Sequence, residues 1–202
     1  MKPLILSIIL LALTLGAALF LRPSVSEGPG GRILAFLALF LLPLTALVLG
    51  AGLHLEGSKS TEFCLSCHVM EPYGESLWLA EREYLPAVHY QNNLMPRDRA
   101  CYSCHTQYTM YGDLKAKMTG VKHLWVNYFG DPSPPLALYE PFRNRECLHC
   151  HGGARSFEEE ELHLELRGEL ASDETSCLEC HDRVHAVAHL EGLETWSPEA
   201  PP

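Results

Sequence analysis

Four short stretches hold the residue types that do chemistry: Cys64-Leu-Ser-Cys67-His68, Cys101-Tyr-Ser-Cys104-His105, Cys147-Leu-His-Cys150-His151 and Cys177-Leu-Glu-Cys180-His181. Each reads Cys-x-x-Cys-His, the spacing at which two thiols can bond covalently to one porphyrin while the next residue reaches its iron. Together they use all 8 cysteines of the chain. Two four-thiolate zinc sites or a disulfide framework could also use eight cysteines, but neither requires a histidine after every pair. The sequence therefore implies four covalently attached haem c groups.

Iron in a haem takes one or two axial ligands, and their identity sets its potential and whether one face stays open. The motif histidines His68, His105, His151 and His181 are the default proximal set. Seven further histidines compete for the opposite faces. His149 lies inside a motif loop and reads as solvent-facing, His54 closes an apolar stretch and reads as interfacial, and His163 lies in acidic sequence and reads as exposed. His89, in "AVHYQNN", and His185 and His189, in "CHDRVHAVAH", lie near motifs in mixed, partly apolar sequence and are the better ligand candidates. Met70 is a separate case. It follows the first motif by two residues, where a methionine is either packing or a thioether ligand.

The elements that position these residues begin with two apolar segments. Residues 4–21 carry no charge and, as a helix, reach about 27 Å, close to the roughly 30 Å of a hydrocarbon core. Residues 33–53 are also uncharged, and their internal Pro43 is tolerable in a spanning helix if neighbours satisfy the freed carbonyl. Between them "RPSVSEGPGGR" reads as a turn. The expectation is a helical-hairpin anchor over residues 1–55, with a cleaved signal as the weaker alternative because a small-residue site is poorly formed. Haem attachment by this motif takes place outside the bacterial cytoplasmic membrane, so the turn with Arg22 and Arg32 falls on the inside, as the positive-inside tendency prefers. The haem domain is then periplasmic, on the outer side of the inner membrane.

Residues 56–193 are expected to form one water-facing tetrahaem domain, and 194–202 a flexible tail. The fold class is mainly α with much irregular structure, since period-two alternation is not sustained anywhere. Such a small domain draws much of its core from the haems. Residues 157–170 read as an acidic helix with a solvated face. The whole chain has 15 basic and 25 acidic residues and a formal net charge of -10, which gives no nucleic-acid surface.

The four motifs, the preceding apolar helix, "CLSCHVM", "AVHYQNN" and "DLKAKMTGVKHLWVNYFG" together resemble the NapC/NirT family of membrane-anchored tetrahaem cytochromes c, over roughly residues 32–185. The resemblance implies oxidation of menaquinol or ubiquinol at the membrane face, with transfer of electrons to a periplasmic oxidoreductase such as a multihaem nitrite reductase. It further implies Met70 as ligand of the first haem with His68 displaced, Lys117 (with Lys115 as the neighbour easily confused with it) as distal ligand of the second, His185 of the third and His89 of the fourth. His123 falls where the family is usually acidic, and with Asp113 it is a candidate acceptor of quinol protons. Two features depart from the family: a second apolar helix, and one residue fewer between His181 and His185, which keeps His189 in contention. Other readings are a multihaem reductase acting on a small substrate, or a haem electron shuttle that does not oxidise quinol.

Overall fold

The computed structural model describes residues 1–131, 136 and 138–197. Two compact units divide the chain, Met1–Ser58 and a second beginning at Lys59.

The first unit is an antiparallel hairpin of α1 (Lys2–Leu21) and α2 (Pro29–Gly57), both long and apolar enough to cross a membrane. The expected spans lie within them, and the turn is shorter than expected, because Arg32 already belongs to α2. Small residues sit where the helices touch: Ala38 and Ala46 are buried, while Leu13, Leu47 and Val48 face outward. Close approach over alanine is how helices associate where no hydrophobic effect drives them together. Pro43 does not break α2. A π turn at Leu37–Leu41 precedes it, and the Thr45 hydroxyl donates to the Leu41 carbonyl at 2.7 Å.

The second unit is a chain of short helices: α3 (Thr61–Leu65), α4 (Glu71–Glu75), α5 (Leu85–Gln91), α6 (Ala100–Cys104), α7 (Gly112–Phe129), α8 (Asn144–His151), α9 (Arg155–Glu158), α10 (Glu161–Glu165), α11 (Arg167–Ser172) and α12 (Cys177–Cys180). Among the described residues there is no strand, only a bridge between Leu79 and Thr195. The acidic stretch expected as one helix divides into α9, α10 and α11. Its dense carboxylates are met locally instead, as where Arg155 pairs with Glu159 at 2.6 Å.

The expected tail is corrected at its start. Ala80 N–H donates to the Glu194 carbonyl at 2.9 Å and Trp196 N–H to the Trp78 carbonyl at 2.6 Å, and the two indoles stack with centroids 6.1 Å apart. An aromatic pair outweighs the terminal position of the segment. Residues 198–202 of that expectation lie outside the described residues.

Buried apolar side chains in this unit, among the described residues, are only Leu77, Leu79, Ala87, Ala100 and Leu170. That is far too little apolar burial to hold a domain of this length by side chains alone, and it fits a domain whose core is completed by porphyrins. Caps set the short helices where they are needed: the Ser60 hydroxyl accepts from Phe63 N–H at the start of α3, and Ser176 and Glu179 form a capping box on α12. Gly112 opens α7 against the chain following motif 2, where any side chain would strike the Gln107 carbonyl.

Candidate functional site

All four motifs lie on or just beyond a single helical turn, α3, α6, α8 and α12. A turn brings residues i and i+3 to one side, so the cysteine pairs of motifs 2, 3 and 4 each face one way, whereas in motif 1 Cys64 lies in α3 and Cys67 beyond it in extended backbone. No disulfide joins any of the eight cysteines.

Two buried polar residues join the motifs in pairs. Thr61, three residues before Cys64, donates to the Arg97 carbonyl at 2.8 Å and accepts from Ala100 N–H at 2.8 Å, next to Cys101. Asn144, three residues before Cys147, donates to the Leu170 and Thr175 carbonyls at 2.9 and 2.6 Å and accepts from Cys177 N–H at 2.8 Å. Thiols meet accordingly. Hydrogen bonding from Cys101 draws Cys64 down to about 7, and hydrogen bonding from Cys147 does the same to Cys177, while the partner thiols are pushed up. Motif 1 is thus coupled to motif 2, and motif 3 to motif 4.

Three of the motif histidines face a second histidine. His105 and His185 have centroids 6.2 Å apart with planes 17° from parallel; His151 and His89 are 5.9 Å apart at 79°; His181 and His163 are 6.3 Å apart at 49°. Two imidazoles on opposite faces of one iron, each about 2 Å from the metal, have centroids roughly 6 Å apart. The second histidine of each pair has its Nδ1 engaged: His185 with the Ser76 hydroxyl at 2.7 Å, His89 with the Leu85 carbonyl at 2.7 Å, His163 with the Phe157 carbonyl at 3.3 Å. That leaves Nε2 as the free nitrogen, the arrangement by which proteins orient a ligating imidazole. Desolvation, with a smaller effect from His105, pushes His185 down to about 4, so it stands as the neutral base a metal requires. His105 is itself exposed, yet chain crowds it closely enough that desolvation, with a smaller effect from His123, lowers it as well. The cysteine pairs, the three facing histidine pairs and the scarcity of other core fit covalently bound haem c.

Several placements differ from the sequence expectation. His185 faces motif 2 rather than motif 3, His89 faces motif 3 rather than motif 4, and His163, expected to be exposed, is half-buried against Phe157 at 4.5 Å and faces motif 4. The facing histidines cross between halves of the domain, and sequence distance does not encode crossing. Sequence reading passed over His163, and only the need of motif 4 for a partner could have drawn attention to it. His189 is exposed in the Ala186–His189 turn, away from that role. Lys117 stands over the Tyr102 ring of motif 2 at 4.6 Å and is also close enough to lower Cys64 of motif 1, so it lies where the two motifs meet. Lys115 pairs with Glu140 at 2.6 Å.

Motif 1 differs from the rest. The His68 side chain is fully exposed, with Nδ1 3.3 Å from Glu71, while Met70 is half-buried at the end of the His68–Met70 turn. Nearby, Asp113 accepts from Lys59 and from the Tyr102 hydroxyl, each at 2.7 Å, and these partners hold its carboxyl below the usual range. An anion so held is a weak proton acceptor near neutral pH. His123, 4.7 Å from the Tyr139 ring, is lowered by desolvation and then by Lys122, which leaves a neutral imidazole able to take a proton. His149 is exposed as expected and stacks on Tyr108 at 3.7 Å.

Comparison with known proteins agrees with this chemistry. A profile of the NapC/NirT cytochrome c family, N-terminal region, matches residues 31–191. Cytochrome c-type protein NapC of Haemophilus influenzae is 23% identical, the match covering 72% of this chain and 77% of that one. Denitrification system component NirT of Stutzerimonas stutzeri is 27% identical over 87% of this chain and 90% of its own. A putative tetraheme cytochrome-c type protein of Allochromatium vinosum is 26% identical over 69% and 79% respectively. No solved structure gives a significant match.

Proposed function

The chain belongs to the NapC/NirT cytochrome c family, and from that premise we propose that it is a tetrahaem quinol dehydrogenase of the bacterial inner membrane. In this reading it is held by the α1–α2 hairpin, oxidises menaquinol or ubiquinol, and delivers electrons to a periplasmic oxidoreductase. The observation that carries the proposal is the contrast between three facing histidine pairs and the outward-turned His68 with Met70 beside it.

Cys64 and Cys67, Cys101 and Cys104, Cys147 and Cys150, and Cys177 and Cys180 would hold the four haems. His105 with His185, His151 with His89 and His181 with His163 would hold the irons of three of them in pairs, and Met70 would be the protein ligand of the first. When bound, haem supplies one-electron chemistry that no side chain here can perform. Quinol gives up two electrons and two protons, and the chain's own task is to orient it and remove the protons. His123 takes a proton on its free ring nitrogen. Asp113, fixed by Lys59 and Tyr102, instead contributes a permanent negative charge and a rigid frame, and Lys117 offers a donor to the quinol oxygen from beside Tyr102.

The test uses the full chain in detergent. Pyridine haemochrome should give four haems per chain, and a menaquinol analogue should reduce them. Met70→Leu should abolish quinol-driven reduction while the other three haems stay attached and low-spin. A fully loaded protein that stays oxidised with quinol would remove the proposed role, and unchanged turnover in the variant would return Met70 to packing. His185→Ala should give one new high-spin signal with a potential shift on the order of 100 mV, whereas His189→Ala should give none.

A further inference from the structure

Helix α7 carries an apolar stripe that stays exposed among the described residues. Leu114, Met118, Val121, Trp125 and Tyr128 recur at helical spacing along one side, with Phe129 beside them. They are among the most exposed large apolar residues of the domain, Trp125 at 65%, Tyr128 at 74% and Phe129 at 73%. The opposite side, with Ala116, Thr119, Gly120 and Val126, is the half-buried one. Sustained exposure of such a stripe marks an interaction surface.

Charge identifies what it meets. The chain has a formal net charge of -10, yet α7 contains three lysines, Lys115, Lys117 and Lys122, against one acid, Asp113. Around the helix the lysines fall at the edges of the apolar stripe, Lys117 on one side and Lys115 and Lys122 on the other, the position from which long side chains reach past an apolar layer to headgroups. Lys115 meets Glu140 and Lys122 lies 3.8 Å from the Tyr139 ring, while Lys59 meets Asp113. Tryptophan and tyrosine at one end of an apolar face bordered by lysine is the composition of a helix that lies in the membrane interface. Chain order agrees: the first turn of α7 is bonded through Asp113 to Lys59, two residues beyond the last residue of the apolar helix α2.

We propose that α7 lies along the outer surface of the bilayer, with Trp125, Tyr128 and Val121 in the acyl boundary and Lys115 and Lys122 on anionic lipid headgroups. This second contact goes beyond the spanning anchor and rests on the membrane-bound reading given above.

The experiment uses the full haem-loaded chain in nanodiscs of phosphatidylcholine, alone or with one quarter phosphatidylglycerol. Trp125→benzoylphenylalanine is irradiated and its adducts are identified by mass spectrometry, with Leu164→benzoylphenylalanine, an exposed apolar position in α10, as the comparison. Acyl-chain adducts at position 125 should exceed those at 164 by at least tenfold and rise several-fold with phosphatidylglycerol. Lys115→Gln with Lys122→Gln should remove the rise. Equal yields at the two positions, or adducts to a protein chain in place of lipid, would overturn the proposal. A yield indifferent to phosphatidylglycerol would overturn the headgroup assignment. Retention of the chain in membranes after alkaline carbonate washing tests the spanning anchor separately, so failure of the anchor and failure of the α7 contact read out differently.

Discussion

The two motif pairs of the haem domain are built alike and finished differently. In the first, Thr61 binds the start of α3 to the start of α6; in the second, Asn144 binds α8 to α12. Both staples are buried, both stand three residues before a first cysteine, and both bring two first cysteines together. The second pair is then completed symmetrically, His151 and His181 each facing another imidazole. In the first pair only His105 is so completed, and His68 is turned outward. The lesson is that the scaffold repeats while the axial environment does not. Difference of role is created by one turn after motif 1, at little cost to the architecture.

That comparison can be broken at several points. The largest effect is expected from Asn144→Leu, which fills the same space but leaves two carbonyls and an N–H without partners in a buried site, costing about 3 kcal/mol. A guanidinium midpoint on the haem-loaded protein checks it, and a loss under about 1 kcal/mol would mean the staple is not what joins the second pair. Thr61→Val removes one donor and one acceptor, so about 1–2 kcal/mol is expected, with the disturbance reported by the motif 1 and 2 haems and not by the other two. If both variants perturb all four haem spectra equally, the halves are one cooperative unit.

The smallest effect sharpens the first half alone. Lys59 holds the Asp113 carboxyl below its usual range, so this pair adds stability that is present above the ordinary aspartate pKa and is lost as pH falls through the depressed one. Lys59→Met should therefore flatten the acid limb of the stability profile below about pH 4, by no more than about 1 kcal/mol because the carboxylate is largely exposed. An unchanged acid limb would show that Tyr102 alone fixes Asp113.

Much of this was open to sequence reading, because some signals are local. Two uncharged stretches and four Cys-x-x-Cys-His turns are each complete within a few residues, and the physics that selects them acts within one helix. The long acidic segment misled, since a helical composition does not overcome crowded like charges without tertiary support, and three short helices resulted. The terminal residues misled in the opposite sense: Trp196 reads as tail until Trp78 is placed against it.

By itself, then, the sequence determined two apolar segments long enough to cross a membrane, four Cys-x-x-Cys-His turns of a c-type cytochrome and the peculiarity of a methionine after the first motif. Only the tertiary structure decided which histidine faces which motif. His185, from beyond motif 4, returns to motif 2; His89, from before motif 2, goes forward to motif 3; and His163 emerges from acidic sequence to face motif 4. Covalent attachment is fixed by residues adjacent in the chain, whereas an axial ligand need only be adjacent in space, and that adjacency is set by the buried staples that fold distant segments together.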